Sequence, residues 1–276
     1  MTEDRDPPTS ASSAPSSRVR WDPDQYRRYA DERSRPFFDL VARVDASSPR
    51  LVVDLGCGPG ELTAALAERW PGARVVGVDS SPEMIERAGA HVRPNLSFEL
   101  GDLREHPVAG PIDVIVSNAT LQWVPGHEAE IVRLAGLVAP GGWLAFQVPG
   151  NFRSPSHARL AALRLSPRWR DRVGKGAERH LAVRDPAEYA ELLTGLGLDV
   201  DVWETTYLHR LHGPDPVLEW VRGTGLRPVL SVLEGAERDA FTAEYAAALV
   251  EAYPPGPDGV TNFPFRRIFA VAHRGA

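Results

Sequence analysis

The sequence predicts an α/β fold: a mostly parallel, doubly wound sheet of seven strands, with a helical segment inserted between the last two. Three observations predict it. Short apolar runs rich in β-branched residues alternate with segments of helical spacing. The first run leads into glycines at every second position, Gly56, Gly58 and Gly60. Acidic or amide residues stand at or near the ends of the first four runs, Asp54, Asp79, Asp102 and Asn118. Sheets of this kind bind ligands at the carboxyl ends of their strands.

Each element has a local reason. Leu51 to Leu55 is a continuous apolar run broken only by Asp54, as suits a strand buried on both faces. The glycines permit a tight turn and a close ligand approach, and a helix follows from Glu61. Arg74 to Val78 is the second run and ends in Asp79; Ser80-Ser81-Pro82 then opens a helix, with Pro82 near its first position. Leu96 to Leu100 is the third, followed by Gly101-Asp102-Leu103. Ile112 to Val116 is the fourth, followed by Ser117-Asn118-Ala119. Glu128 to Val138 has helical spacing, and Trp143 to Val148 is the fifth run after Pro140-Gly141-Gly142. Beyond Pro149, helices are expected at 155–165, 185–195, 214–223 and 234–252, and strands at Val200 to Leu208 and Arg267 to His273.

A length of 276 residues, 43% of them hydrophobic, suffices for one large α/β domain. That domain is expected over 21–274, with its core at about 46–150 and a covering lid from 21–45, 150–190 and 210–266. Residues 1–20, rich in Ser, Pro and charge, are expected to be a disordered tail. No run approaches the roughly 20 apolar residues of a membrane span, and no apolar signal core opens the chain. The lone cysteine, Cys57, excludes an internal disulfide and suits a cytoplasmic protein. No histidine pair has convincing metal-ligand spacing, so no metal is expected. A net charge of −6 disfavours nucleic acid as partner. Of the 31 basic residues only Lys175 is lysine, so a single arginine carries little information.

The spacing of the glycines is G-x-G-x-G, not the G-x-G-x-x-G of dinucleotide enzymes. Asp54 would aim a carboxylate at the turn, repelling a pyrophosphate and attracting a cationic amino-acid group. The motif therefore resembles that of class I S-adenosylmethionine methyltransferases, whose Rossmann-like sheet matches the predicted order. The resemblance implies S-adenosyl-L-methionine as cofactor. Asp54, Gly56, Gly58 and Gly60 would surround its methionine part, with Asn118 and Ala119 beside them. Asp79 and Ser80 would lie at the ribose, and Met84, Asp102 and Leu103 at the adenine. Asp79 equally reads as a helix cap, Met84 as a core filler and Asp102 as a turn residue.

The likeness narrows in Trp21-Asp22-Pro23, Ser117-Asn118-Ala119 with Leu121-Gln122-Trp123, Pro149-Gly150-Asn151-Phe152 and Pro155-Ser156-His157. It is densest in Val202-Trp203-Glu204-Thr205-Thr206-Tyr207-Leu208-His209, Gly225-Leu226-Arg227-Pro228 and Phe263-Pro264-Phe265-Arg266-Arg267. Over residues 21–274 the chain resembles the trans-aconitate methyltransferases. The resemblance implies methyl transfer to a carboxylate of a small tricarboxylate, by positioning and without a catalytic base. It names no protein partner. Arginines suit the carboxylates that do not react, because a guanidinium pairs with them bidentately. Arg33, Arg227 and Arg266 are the candidates, with Gln122, Trp123, Tyr207 and His209 as the wall. Arg266 and Arg267 are adjacent, so only one of them faces inward from an extended chain. Two alternatives stand beside this reading: another small acid or a hydroxyl acceptor, the latter with His209 as base, and a protein that binds the cofactor without turnover.

Overall fold

A computed structural model describes residues 34–105, 110–175, 183–222 and 225–276. Seven strands form one sheet in the order β3-β2-β1-β4-β5-β7-β6. They are β1 (Leu51–Leu55), β2 (Arg74–Asp79), β3 (Leu96–Leu100), β4 (Ile112–Asn118), β5 (Val138–Pro149), β6 (Asp199–Leu211) and β7 (Thr261–His273). β1 to β5 pair in parallel, and β7 runs antiparallel to both β5 and β6. The α/β class and the mostly parallel winding agree with the sequence reading.

Helices cover both faces. On one, α1 (Arg35–Val41) and α2 (Glu61–Arg69) bury Phe37, Phe38 and Ala64 to Ala67 against Val52, Val114, Val116 and Phe269. On the other, α4 (His127–Leu137) and α7 (Pro186–Gly195) bury Ile131, Leu134, Tyr189 and Leu193 against Ile115, Phe146 and Ile268. Between β2 and β3, α3 (Pro82–Ala88) begins with Pro82 in its first turn. The Ser81 side chain accepts from the Met84 amide at 3.4 Å.

The last two strands outrun the rest of the sheet. β5 ends at Pro149, opposite Arg267, whereas β7 continues back to Thr261 and β6 on to Leu211. The protruding ends carry Phe263 and Phe265 into a third apolar cluster. This contains Leu160 of α5 (Pro155–Leu165) and Val173 of α6 (Arg170–Val173). Val217 of α8 (Pro216–Arg222), Val229 of α9 (Arg227–Leu230) and Phe241 and Tyr245 of α10 (Gly235–Ala252) complete it. A separate helical layer therefore stands above the carboxyl edge of the sheet. No helix among the described residues is long and apolar enough to cross a membrane.

Candidate functional site at the carboxyl edge of the sheet

The glycine turn and the acid that ends β2 form one hydrogen-bonded unit. The amides of Gly56 and Cys57 donate to the Val78 carbonyl at 2.8 and 3.0 Å. The Gly58 amide donates to Asp79 Oδ2 at 2.9 Å, and the Ser81 amide to Oδ1 at 2.9 Å. Each Asp79 oxygen keeps a second lone pair for a diol. Asp54 is buried, and its Oδ2 accepts from Thr63 Oγ1 at 2.7 Å. Burial pushes its carboxyl up to about 6, against the pull of Thr63 and with a further push from Asp79. A buried carboxylate next to a second acid is a poor home for an anion and a good one for an ammonium group. Burial and the same two acids push the Cys57 thiol up, which leaves it inert as a nucleophile.

The three glycines have different duties. A Cβ at Gly56 would lie 2.0 Å from Thr120 Oγ1, and one at Gly60 2.8 Å from the Phe98 ring. A Cβ at Gly58 would meet nothing within 4 Å, so that residue faces open space. Gly56 and Gly58 both have positive φ, 79° and 55°. Gly58→Ala is therefore expected to cost only the left-handed strain of about 1–2 kcal/mol. Gly56→Ala adds an overpacking penalty of roughly 1–3 kcal/mol. Urea denaturation of both variants checks this; equal losses of stability would remove the role given to Thr120.

Around the end of β4, Ala119 sits at φ 53°, a strained position for a residue with a Cβ. Its amide donates to the Gln147 carbonyl at 2.9 Å, and its carbonyl accepts from Gln122 Nε2 at 2.6 Å. Asn118 Oδ1 and Gln122 Oε1 are buried with no hydrogen-bond partner among the described residues. Buried acceptors left open cost about 1–3 kcal/mol each; at a ligand edge that cost is recovered when a donor binds. Asp102 is spoken for in a different way. Its Oδ1 accepts from the Arg104 amide at 3.0 Å and from Nε at 2.9 Å, and Arg104 also reaches Oδ2. These contacts pull its carboxyl down to about 2. A ligand amino group at Asp102 would share it with Arg104. Leu103 is buried, and its carbonyl accepts from Arg133. Ser80 is exposed and Met84 half-buried on α3.

Arg33 lies outside the described residues. The guanidinium of Arg266 donates to Glu204 Oε2 (2.9 Å from Nε), to Asp185 Oδ1 at 3.2 Å and to the Gly150 carbonyl at 3.3 Å. It points to the face opposite Tyr207 and His209, because alternation puts Arg267 on theirs. Arg267 is 8% exposed, and its Nη1 donates to Gln147 Oε1 at 3.1 Å. Tyr207 is bonded as well. Its hydroxyl donates to Asp39 Oδ2 at 2.6 Å, so it offers an incoming carboxylate only an acceptor. His209 is buried, stacked on Trp220 with ring centroids 4.4 Å apart. Trp123 is half-exposed, and Arg227 is exposed at the start of α9.

Sequence reasoning passed over Gln147, Asn151 and Asp39. A signal existed for the first. Gln147 is the one amide in the apolar run Trp143 to Val148, and a buried polar side chain always asks for a partner. His157, on α5, stands with Nδ1 3.4 Å from Ser154 Oγ and 3.3 Å from Ser156 Oγ. Burial pushes its imidazolium down to about 4, so the ring is neutral at physiological pH.

Comparison with known proteins fits this geometry. A family model described as a methyltransferase domain matches residues 26–202. A Streptomyces avermitilis protein named trans-aconitate 2-methyltransferase is 56% identical over 93% of this chain and 97% of its own. Proteins of the same name from Rhodococcus jostii and Mycobacterium tuberculosis are 51% and 49% identical. They cover 91% and 92% of this chain and 98% and 97% of their own. Among solved structures, YcgJ from Bacillus subtilis shares the fold with a TM-score of 0.59 at 14% identity, over 88% of this chain and 99% of that one. A Haemonchus contortus phosphoethanolamine N-methyltransferase 2 in complex with S-adenosyl-L-methionine does so with a TM-score of 0.52 at 17% identity. That match covers 88% of this chain and 53% of that one.

Proposed function

The chain belongs to the trans-aconitate 2-methyltransferase family, and we infer that it methylates a carboxylate of trans-aconitate, giving a monomethyl ester and S-adenosylhomocysteine. The observation that carries this reading is the identity to proteins of that name across nearly the whole chain. S-adenosyl-L-methionine, when bound, supplies a methyl group on a sulfonium for in-line displacement by a carboxylate oxygen.

The residues of the site fit that cofactor. Asp54 and the open acceptors Asn118 Oδ1 and Gln122 Oε1 suit its ammonium end, and Gly58 leaves room beside the turn. Asp79, already oriented by the Gly58 and Ser81 amides, suits the ribose diol. The acceptor carboxylate is ionised at neutral pH, so no residue has to remove a proton. The protein's work is to hold two ions of opposite charge in line and away from water. The helices between β6 and β7, with α5 and α6, serve as the lid that excludes water.

The test is transfer from methyl-labelled S-adenosyl-L-methionine to trans-aconitate, cis-aconitate, citrate, isocitrate and isopropylmalate, followed by mild base. Labelled methanol, released most strongly from the trans-aconitate product, is the expected result. Base-stable label, or none with any acid, would overturn the reading. At saturating cofactor the rate is expected to stay level from about pH 6 to 9, whereas a histidine base would lose rate below about 6.5.

A further inference from the structure

The chain that leaves β5 stands over the same edge as the cofactor candidates, because β5 ends beside β4 with Gln147 opposite Asn118. The Gly150 amide still donates to the Arg266 carbonyl at 2.9 Å. One turn later the Ser154 amide donates to the Asn151 carbonyl at 2.9 Å, and α5 begins, with His157 in its first turn. The ring of His157 is held at one end and open at the other. Its Nδ1 lies 3.4 Å from Ser154 Oγ and 3.3 Å from Ser156 Oγ, and those hydroxyls are 2.9 Å apart. Phe152 meets the ring edge-on, with centroids 5.2 Å apart. Ser156 is fixed in turn: its amide donates to the Tyr253 hydroxyl and its carbonyl accepts from the Tyr245 hydroxyl, both at 3.0 Å. With two hydroxyls able to donate to it, Nδ1 is the acceptor and Nε2 carries the ring proton. Nε2 has no hydrogen-bond partner among the described residues. Its neighbour is Gly225, where a Cβ would stand 3.5 Å from Nε2, so bare backbone leaves that space to a ligand. Two residues on, at the start of α9, Arg227 is the one arginine with neither an ion pair nor a hydrogen bond among the described residues.

We propose that the Nε2–H of His157 binds a substrate carboxylate that is not methylated, in the space kept open by Gly225. The proposal rests on the carboxyl methyl transfer inferred above and adds a residue that positions the acid. The ring is neutral at physiological pH because burial disfavours its cation. It therefore donates without bringing a second buried charge that would have to lose its own water. The serine and tyrosine contacts set the ring before the acid arrives, so little side-chain freedom is lost on binding. The positive charge is Arg227, whose Cα is at most about 7.6 Å from that of Gly225 across two peptide units.

The experiment compares wild type with His157→Phe, His157→Gln and Gly225→Ala. It reads kcat and KM for trans-aconitate and, by calorimetry, the affinity for S-adenosyl-L-methionine, which is expected to stay within about twofold throughout. His157→Phe keeps a ring against Phe152 and loses the donor; KM is expected to rise by about 10- to 100-fold, with kcat falling much less. His157→Gln restores an N–H and is expected to bring KM back to within about fivefold of wild type. Gly225→Ala leaves His157 untouched and needs no left-handed backbone; its methyl group against Nε2 is expected to raise KM about tenfold. With 15N-labelled histidine and bound S-adenosylhomocysteine, trans-aconitate is expected to shift the Nε2 resonance that is missing from His157→Gln. A wild-type KM in His157→Phe or Gly225→Ala overturns the proposal, as does a loss of kcat at unchanged KM. An Nε2 resonance that trans-aconitate leaves unmoved overturns it even where a variant fails to fold. Failure of the wild-type protein itself to turn over trans-aconitate would instead overturn the functional reading, so the two failures are told apart.

Discussion

Asp54→Asn will bind S-adenosyl-L-methionine at least about 100-fold more weakly than wild type, yet in its absence will unfold at a higher temperature at pH 8. Both effects have one cause. Asp54 is fully buried, and its carboxyl is pushed from 3.8 to about 6, chiefly by burial. The folded protein therefore holds that proton more tightly than the unfolded chain does. The stability this lends is complete below about pH 4 and is lost as pH rises through about 6. Above pH 6 the cofactor-free protein carries an ionised buried acid, at a cost of up to about 3 kcal/mol. Asparagine removes the charge and keeps an acceptor for the Thr63 hydroxyl. The same charge is what an ammonium group binds, so the site trades stability for affinity.

Thermal unfolding of both proteins at pH 5 and pH 8, without cofactor, separates this account from a simple packing effect. The advantage of Asp54→Asn should be present at pH 8 and much reduced at pH 5, where the wild-type carboxyl is largely protonated. Undiminished cofactor affinity in the variant would refute the assignment of Asp54 to the ammonium group.

How much of this was legible in the sequence depended on whether the signal was local. The turn from Asp54 to Gly60 and the acid that ends β2 were readable because positive φ, bare backbone and strand ends leave marks within a few residues. The start of β7 was misplaced, at Arg267 instead of Thr261, because Pro264 reads as a strand breaker. Past the end of β5, β7 has a neighbour on one side only, and there a proline is tolerated. Which of Arg266 and Arg267 shares a face with Tyr207 and His209 was beyond sequence for a different reason. Both faces of β7 are buried, Ile268 and Ala270 under one helical layer and Phe269 and Val271 under the other. A strand that is apolar on both faces gives no sign of which helical layer each side chain meets. The bond made by Tyr207 was not legible because its acceptor, Asp39, lies 168 residues away.

Phe241→Ala tests whether the helical layer acts as a lid apart from the cofactor fold. Phe241, Tyr245 and Leu249 recur every fourth residue on α10 and are all buried. Phe241 meets Trp169 edge-on, with ring centroids 5.2 Å apart. From the same helix the Tyr245 hydroxyl donates to the Ser156 carbonyl at 3.0 Å, and from its end the Tyr253 hydroxyl accepts from the Ser156 amide at 3.0 Å. Those two bonds fix the start of α5, where His157 stands. Truncating a buried phenylalanine to alanine costs about 3–5 kcal/mol, and here the loss falls on a cluster distinct from the two that pack the sheet. The opening should therefore be local. Amide exchange is expected to quicken in 155–173 and 216–252 while the β1–β4 strands stay protected, and cofactor affinity to hold within a few-fold of wild type as turnover of trans-aconitate collapses. Equal losses of cofactor binding and turnover would mean that the layer and the sheet open as one unit, and turnover at the wild-type rate would mean that the chemistry needs no cover from these helices.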